Sequence, residues 1–360
     1  MRPGVCLISA FVLASCGSHV ATTAPSVTPI HAVNGSPSPT ASTAGGDQDA
    51  VLGPAGMTLQ QEIGAVMMVG FKGPLTPAVL HDWRQHQFGG LLLVPVNQNA
   101  PNATAIRQLI QSVRGVMLHP LMAATNQEGG TVCFLETAVP CLAGARQVAP
   151  EGPTAVQSEL ATMSRGLKTL GFDINFAPVA DVWDGNHPFM SERSYGENPQ
   201  VVAQDVTAAI TGVHAAGMYA AAKHFPGDGK RDLSPFRAAI AARVEFVMVG
   251  HLDVPSIDAS APTSMSAAVL QLLRSELGYQ GVIISDDLQM GALSPQYPPP
   301  LAAVRFLKNG GDMVIVSHDI AVADASYAAI HAAVLNGSYP RAQLDGSVQK
   351  LLSLGLRYMP

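Results

Sequence analysis

From Met57 onward the chain repeats one pattern, a short unbroken apolar run followed by polar residues and then an amphipathic stretch of helical length. The apolar runs fall at Ala65–Gly70, Gly90–Val94, Leu121–Thr125, Ile174–Ala177, Met218–Ala222, Phe246–Gly250, Val282–Ser285 and Met313–Val316. Most are continuous rather than alternating, which is the pattern of parallel strands covered on both faces. Helical segments lie between them, among them Thr154–Leu170, Pro199–Ala216, Ala267–Leu277, Leu301–Asn309 and Ala321–Leu335, several ending in Gly or Asn as helix C-termini do. Strands alternating with helices in this way predict an α/β fold, a (β/α)8 TIM-type barrel of one domain over residues 54–360. A doubly wound open sheet would carry a glycine-rich fingerprint after its first strand, and Gly70-Phe71-Lys72-Gly73 is too sparse for one.

Before Met57 the pattern is different. Arg2 followed by the apolar stretch Val5 to Leu13 has the form of an export signal over residues 1–16, too short to span a bilayer. Leu13-Ala14-Ser15-Cys16 has the form of a bacterial lipobox, which makes Cys16 the expected lipidated residue and predicts an exported protein anchored to the outer face of the cell membrane. More than one acyl chain at Cys16 would supply what stable anchoring needs. Residues 17–53 are rich in Ser, Thr, Pro, Ala and Gly, a composition that cannot offset the entropy of ordering and predicts a disordered tether. Cys133 and Cys141 are then the cysteines of the mature domain. Export permits a disulfide between them, and two separate small core residues would fit the spacing equally well.

Composition narrows the function. A 48% hydrophobic content allows a large core, while a net charge of −6 with 13% charged residues and no polybasic run gives no face for nucleic acid. A small molecule or a neutral polymer fits better. No HExxH or CxxC spacing suggests a metal, no cofactor is implied, and no Gly-x-Ser-x-Gly elbow suggests a serine hydrolase.

In a barrel, residues just past each strand face one shared pocket. These are Asn126, Gln127 and Glu128 after the third strand, Asp181 after the fourth, Lys223 and His224 after the fifth, His251 and Asp253 after the sixth, Asp286 and Asp287 after the seventh, and Ser317, His318 and Asp319 after the eighth. Each also has an ordinary reading. A lone loop aspartate such as Asp181 caps turns, Pro226-Gly227-Asp228-Gly229 is a turn sequence, and His187, His318, Gly129 and Gly130 are individually uninformative.

Four motifs in order, Ile174 to Val182 (INFAPVADV), Glu192 to Gly196 (ERSYG), Lys223 to Gly227 (KHFPG) and Ser285 to Met290 (SDDLQM), resemble those of glycoside hydrolase family 3. The resemblance runs from about Met57 to the C-terminus and is closest to single-domain bacterial β-N-acetylhexosaminidases of the NagZ type, including mycobacterial-type lipoproteins. It implies a retaining exo-glycosidase acting on terminal β-linked N-acetylglucosamine in cell-wall glycans or muropeptides, with a monomer as the simplest state. Asp286 aligns with the family's nucleophile, and Arg193, Lys223 and His224 align with residues that hold sugar hydroxyls.

The chain departs from that pattern at three places. The family's acid/base is a histidine on a loop after the Lys-His-Phe-Pro-Gly motif, whereas here Gly227 runs into Asp228-Gly229-Lys230-Arg231-Asp232 and a helix begins at once. Asp228 and Asp232 are the only substitute acids at hand, although an exposed loop aspartate is normally ionised near neutral pH. Asn126 stands where the family usually has an aspartate, and Phe134 where an arginine is common. Loss of these charge-assisted hydrogen bonds weakens hydroxyl recognition by about 1.5–3 kcal/mol each. The alternative to slow hydrolysis is a saccharide-binding lipoprotein without turnover, and a third outcome is transfer of the sugar to an acceptor other than water.

Overall fold

The computed structural model describes residues 51–227, 232–293 and 295–355. The expected signal segment, Cys16, most of the tether and Asp228 lie outside them.

Eight parallel strands close a barrel: β1 Met67–Val69, β2 Gly90–Leu92, β3 Met122–Thr125, β4 Ile174–Asn175, β5 Tyr219–Phe225, β6 Phe246–Val249, β7 Val282–Asp287 and β8 Met313–Val316. Consecutive strands are neighbours and β8 closes onto β1, with Met67 opposite Val314. The strand interiors are buried, as continuous apolar runs require when helices cover the outside. Gly70, just past β1, is forced by that closure, because a Cβ there would lie 2.2 Å from the Ser317 carbonyl oxygen.

Several helices begin where a side chain satisfies their first N–H groups. Thr58 and Gln61 form a reciprocal capping box before Leu59–Ala65, and Asn102, Asn198 and Asp319 cap Ala103–Arg114, Pro199–Ala215 and Ile320–Leu335. Gly171, at φ 98°, ends Pro153–Leu170.

Several boundaries differ from the sequence expectation. The capping box draws Ala65 into a helix, so β1 starts at Met67. Ala267–Gln271 passes into a π-helical turn at Leu272–Glu276, and a C-terminal helix, Arg341–Ser353, was not anticipated. β5 and β7 run further than their apolar cores, so that Lys223, His224, Asp286 and Asp287 lie within strands rather than after them. Backbone pairing is the cause: Lys223 pairs with Met248, Phe225 with Val249, and Asp287 with Ile315.

Candidate active site

A cavity of about 500 Å³ opens at the C-terminal ends of the strands, and Asn126, Glu128, Arg193, Lys223, His224 and Asp286 all line it. Its floor is an ion-paired cluster. Glu128 takes two parallel hydrogen bonds from Arg193, through Nε and Nη2 at 2.8 Å each, and an ion pair from Lys223 Nζ at 2.6 Å. Lys223 also donates to Asn126 Oδ1 at 2.6 Å. Burial alone would raise the Glu128 pKa, but the two cations outweigh it and bring the carboxyl down to about 2. Burial, reinforced by Arg193, holds Lys223 below the ordinary lysine range while Glu128 opposes the shift. Burial opposes the charge on Arg193, and Glu128 more than restores it. The cluster stays charged because each member desolvates beside its counter-ion.

Local sequence explains how Glu128 arrives there. It lies in Gln127–Gly129, which pairs antiparallel with Val132–Cys133 in a small hairpin beyond β3. The turn uses Gly129 and Gly130 at φ 98° and 58°, and a Cβ on Gly129 would meet the Ala143 carbonyl oxygen at 2.2 Å. Cys133 is bonded to Cys141, which ties the far side of the hairpin and settles the question the spacing left open. Phe134, beside that disulfide, lines the cavity.

Asp181 is fully buried and does more than cap a turn. It accepts the His224 backbone N–H and holds the ring at Nδ1 at 2.8 Å, which leaves Nε2 as the edge of the imidazole available to the cavity. Asp286 accepts the Asp287 backbone N–H at 2.8 Å. Asp287 turns the other way. Burial raises its pKa, yet hydrogen bonds from His318 and from Ser317 Oγ, the latter 2.6 Å away, hold it below the ordinary value. His318 bridges Asp287, at 3.1 Å, and Asn97 Oδ1, at 2.9 Å, and joins the cavity wall.

Other strand-end residues are engaged elsewhere. His251 bonds Ser264 Oγ and the Asp287 carbonyl, Asp253 is exposed, and Asp319 caps the last barrel helix. Asp232 accepts from the backbone N–H and hydroxyl of Ser234 at the start of Ser234–Ala241 and does not line the cavity. Among the described residues, no group of three His, Cys, Asp or Glu side chains has the arrangement to hold a metal. The central place of Glu128 and the pairings of Asp181 and His318 were not evident from sequence, since their partners lie far along the chain. The Gly129-Gly130 pair after Glu128 was the available signal.

The arrangement offers buried donors, buried acceptors and one strand-end carboxylate around a nearly charge-balanced floor, which suits a neutral polyhydroxylated ligand. The sequence model of the Glycosyl hydrolase family 3 N terminal domain matches residues 58–233 and 230–354. The chain is 31% identical to a β-hexosaminidase of Stenotrophomonas maltophilia over 73% of this chain and 86% of that protein. A glycoside hydrolase family 3 β-N-acetylglucosaminidase from Paenibacillus sp. is similar at a TM-score of 0.79 and 30% identity, over 84% of this chain and 63% of that one. LpqI of M tuberculosis is similar at a TM-score of 0.75 and 28% identity, over 84% of this chain and 95% of that one. With the family model covering most of the barrel and the site built at the ends of its strands, the chain belongs to glycoside hydrolase family 3.

Proposed function

We propose that the chain is a retaining exo-glycosidase releasing terminal β-linked N-acetylglucosamine from cell-wall glycans or muropeptides, with Asp286 as nucleophile. The observation that carries this reading is the meeting of a strand-end carboxylate with Glu128, Arg193, Lys223 and His224 in one cavity. An Asp286 oxygen attacks the anomeric carbon, and the bond to the leaving oxygen breaks with its electron pair going to that oxygen. Water then attacks the glycosyl ester and loses its proton, which frees Asp286. Arg193, Lys223 and His224 orient the sugar hydroxyls, and Asn126 accepts from one. The names of the β-hexosaminidase relatives support an N-acetylated sugar.

The weak point is proton transfer to the leaving group. Only residues 228–233 separate Gly227 from the helix at Ser234, and the family match breaks into two segments meeting at 230–233. Both observations support a shortened acid/base loop, and loss of a general acid costs roughly 10²–10⁴-fold. The second reading, a saccharide-binding protein without turnover, is favoured by Asp232, whose Oδ1 accepts from Ser234 and which does not line the cavity. Export and anchoring through Cys16 are part of the same proposal, supported by the lipobox pattern and by a disulfide of the kind oxidising compartments sustain.

Release of nitrophenolate from 4-nitrophenyl β-N-acetylglucosaminide tests both readings, because that leaving group departs without a proton. Turnover lost in Asp286→Ala and accelerated by azide, which attacks the intermediate without a base, is the expected result. No turnover with or without azide sinks the hydrolase and leaves the binding protein.

A further inference from the structure

Asp286 stands where the barrel ladder is irregular. Met313 of β8 pairs with Ile284 and Ile315 pairs with Asp287, so β7 takes three steps where β8 takes two. The extra residue makes a bulge, which re-aims side chains and interrupts regular pairing. The Ile315 N–H donates there to the Ser285 hydroxyl. Side chains take over from the ladder around the proposed nucleophile.

They converge on Asp287. Its backbone N–H donates to Asp286 Oδ1 at 2.8 Å, and its carbonyl accepts from the Met290 N–H at 3.0 Å and from His251 Nε2 at 2.9 Å. Its Oδ1 accepts from the backbone N–H groups of Gln289 and Ser317 at 3.2 Å each, and its Oδ2 meets Ser317 Oγ at 2.6 Å and His318 Nε2 at 3.1 Å. Every polar atom of Asp287 is engaged, and one of those engagements fixes the Asp286 carboxylate.

The two histidines differ in the protons they need. His251 Nε2 faces a carbonyl and so carries a proton, while Nδ1 lies 2.7 Å from the Ser264 hydroxyl, which can donate to it. A neutral ring satisfies both sides. At His318 both neighbours are acceptors. Asn97 Nδ2 donates to the Ser317 carbonyl at 2.6 Å, which fixes the amide and turns Oδ1 towards His318 Nδ1 at 2.9 Å. Nε2 faces the Asp287 carboxylate. A neutral ring would aim a lone pair at one of these oxygens, so the imidazolium alone satisfies both.

We propose, resting on the glycosidase reading above, that His318 is a positioning residue for the nucleophile: as an imidazolium it clamps Asp287, and through the Asp287 N–H it holds the Asp286 carboxylate in its attacking orientation. Its N–H groups are taken by Asn97 and Asp287, so it acts through Asp287 rather than on the sugar. Loss of a ring proton turns the contact with Asp287 from attraction to repulsion and lets the peptide shift. A displacement of about 1 Å can slow an oriented reaction by about 10²-fold. Of the elements packed about the ring, β7 carries Asp286 and Asp287, and the chain next to it carries Asp319, which caps the following helix. The turn Pro95–Asn97 presents the uncharged Asn97, and the loop after β1, tied to the Asn97 carbonyl by the Gly73 N–H, carries the exposed Lys72.

The test is kcat and KM for 4-nitrophenyl β-N-acetylglucosaminide with added azide, at pH 6 and pH 9, for wild type, His318→Ala and His318→Gln. This leaving group needs no proton and azide removes the intermediate, so kcat reports attack by Asp286. Wild-type kcat should fall about tenfold from pH 6 to pH 9, with KM changed much less. His318→Ala should show the low kcat at both pH values. His318→Gln, whose amide donates to Asp287 without titrating, should keep most of the pH 6 rate at both. A fall with pH that persists in His318→Gln places the titrating group elsewhere, His224 included, and overturns the proposal while leaving the glycosidase reading intact. Equal kcat in all three proteins does the same, as does a loss in His318→Gln as deep as in His318→Ala with melting temperatures unchanged. If His318→Ala does not fold, the profile of His318→Gln decides alone. No wild-type turnover at either pH overturns both readings.

Discussion

At the N-terminal end of the barrel, Asp173, Glu245 and Asp312 each stand one residue before a strand, and each reaches sideways to the strand before it. They accept the backbone N–H of Ala123 in β3, Ala220 in β5 and Ile283 in β7, in every case the second residue of that strand. Each also has a cationic or imidazole partner: Arg114 for Asp173, His214 for Glu245, and Arg274 with Lys350 for Asp312. At the C-terminal end the same residue types face a cavity. Glu128, Lys223 and Arg193 satisfy one another yet remain within reach of a ligand, and Asp286 lines the opening. Charge pairing therefore does not distinguish a site from a clasp. What distinguishes them is whether the paired groups spend their hydrogen bonds on backbone or keep some directed at empty space, which is why one end of a barrel serves stability and the other chemistry.

The largest effect that would test this contrast is at Asp286. Asp286→Ala should reduce turnover of an aryl glycoside by on the order of 10⁴-fold, because removal of the proposed nucleophile takes the covalent route with it. Its melting temperature should match wild type, since its carboxylate accepts from the neighbouring Asp287 backbone N–H. A fall in melting temperature as steep as the fall in rate would mean that Asp286 is a clasp after all.

Asp312→Ala is the converse experiment. Asp312 is 2% exposed and gathers Arg274, Lys350, Ser347 and the Ile283 N–H. Its loss leaves cations and a buried donor unpaired and should cost about 3 kcal/mol in urea denaturation. Activity per folded molecule should not change. A loss of activity with stability intact would break the division between the two ends.

How much of this contrast was legible before the structure depends on the range of the signal. The barrel was legible because eight buried strands leave eight apolar runs, and the chemistry was bracketed because strand ends are adjacent in sequence to those runs. Strand length was not, because an apolar-run reading stops at the last hydrophobic residue while β5 and β7 continue through Lys223 and Asp286 on backbone pairing alone. Glu128 was visible as a strand-end residue, but Arg193 is 65 positions away and nothing local ties the two. The clasp at the other end had a local signal, an acidic residue directly before an apolar run, as in Asp173-Ile174, Glu245-Phe246 and Asp312-Met313.

Within the functional end, the disulfide sharpens the comparison at a smaller scale. Cys133–Cys141 closes a short loop, with a sequence separation of 8, beside the hairpin that carries Glu128 and Phe134. In the chain-entropy picture a loop of that length contributes about 2.5 kcal/mol. The double substitution Cys133→Ser, Cys141→Ser should lower stability by that amount and raise KM more than it lowers kcat, because it loosens the wall of the cavity and leaves Asp286 in place. Unchanged KM with the expected loss of stability would make the disulfide a clasp that happens to lie at the working end.

The smallest effect comes from the His214–Glu245 clasp. The hydrogen bond from His214 Nε2 to Glu245 Oε2, 3.0 Å long, raises the His214 pKa above its ordinary 6.5, against the opposing effect of burial. Because the folded pKa is the higher one, this stabilisation is fully present below about pH 6.5 and is lost as pH rises through the folded value. The pair is partly exposed, so the contribution is under ~1 kcal/mol. Urea denaturation of wild type and His214→Gln at pH 6 and pH 9 should show a difference at the lower pH that shrinks at the higher, with no matching change in KM at either. A difference that persists at pH 9 would mean that His214 acts through packing, so that this clasp, unlike those at Asp173 and Asp312, owes nothing to charge.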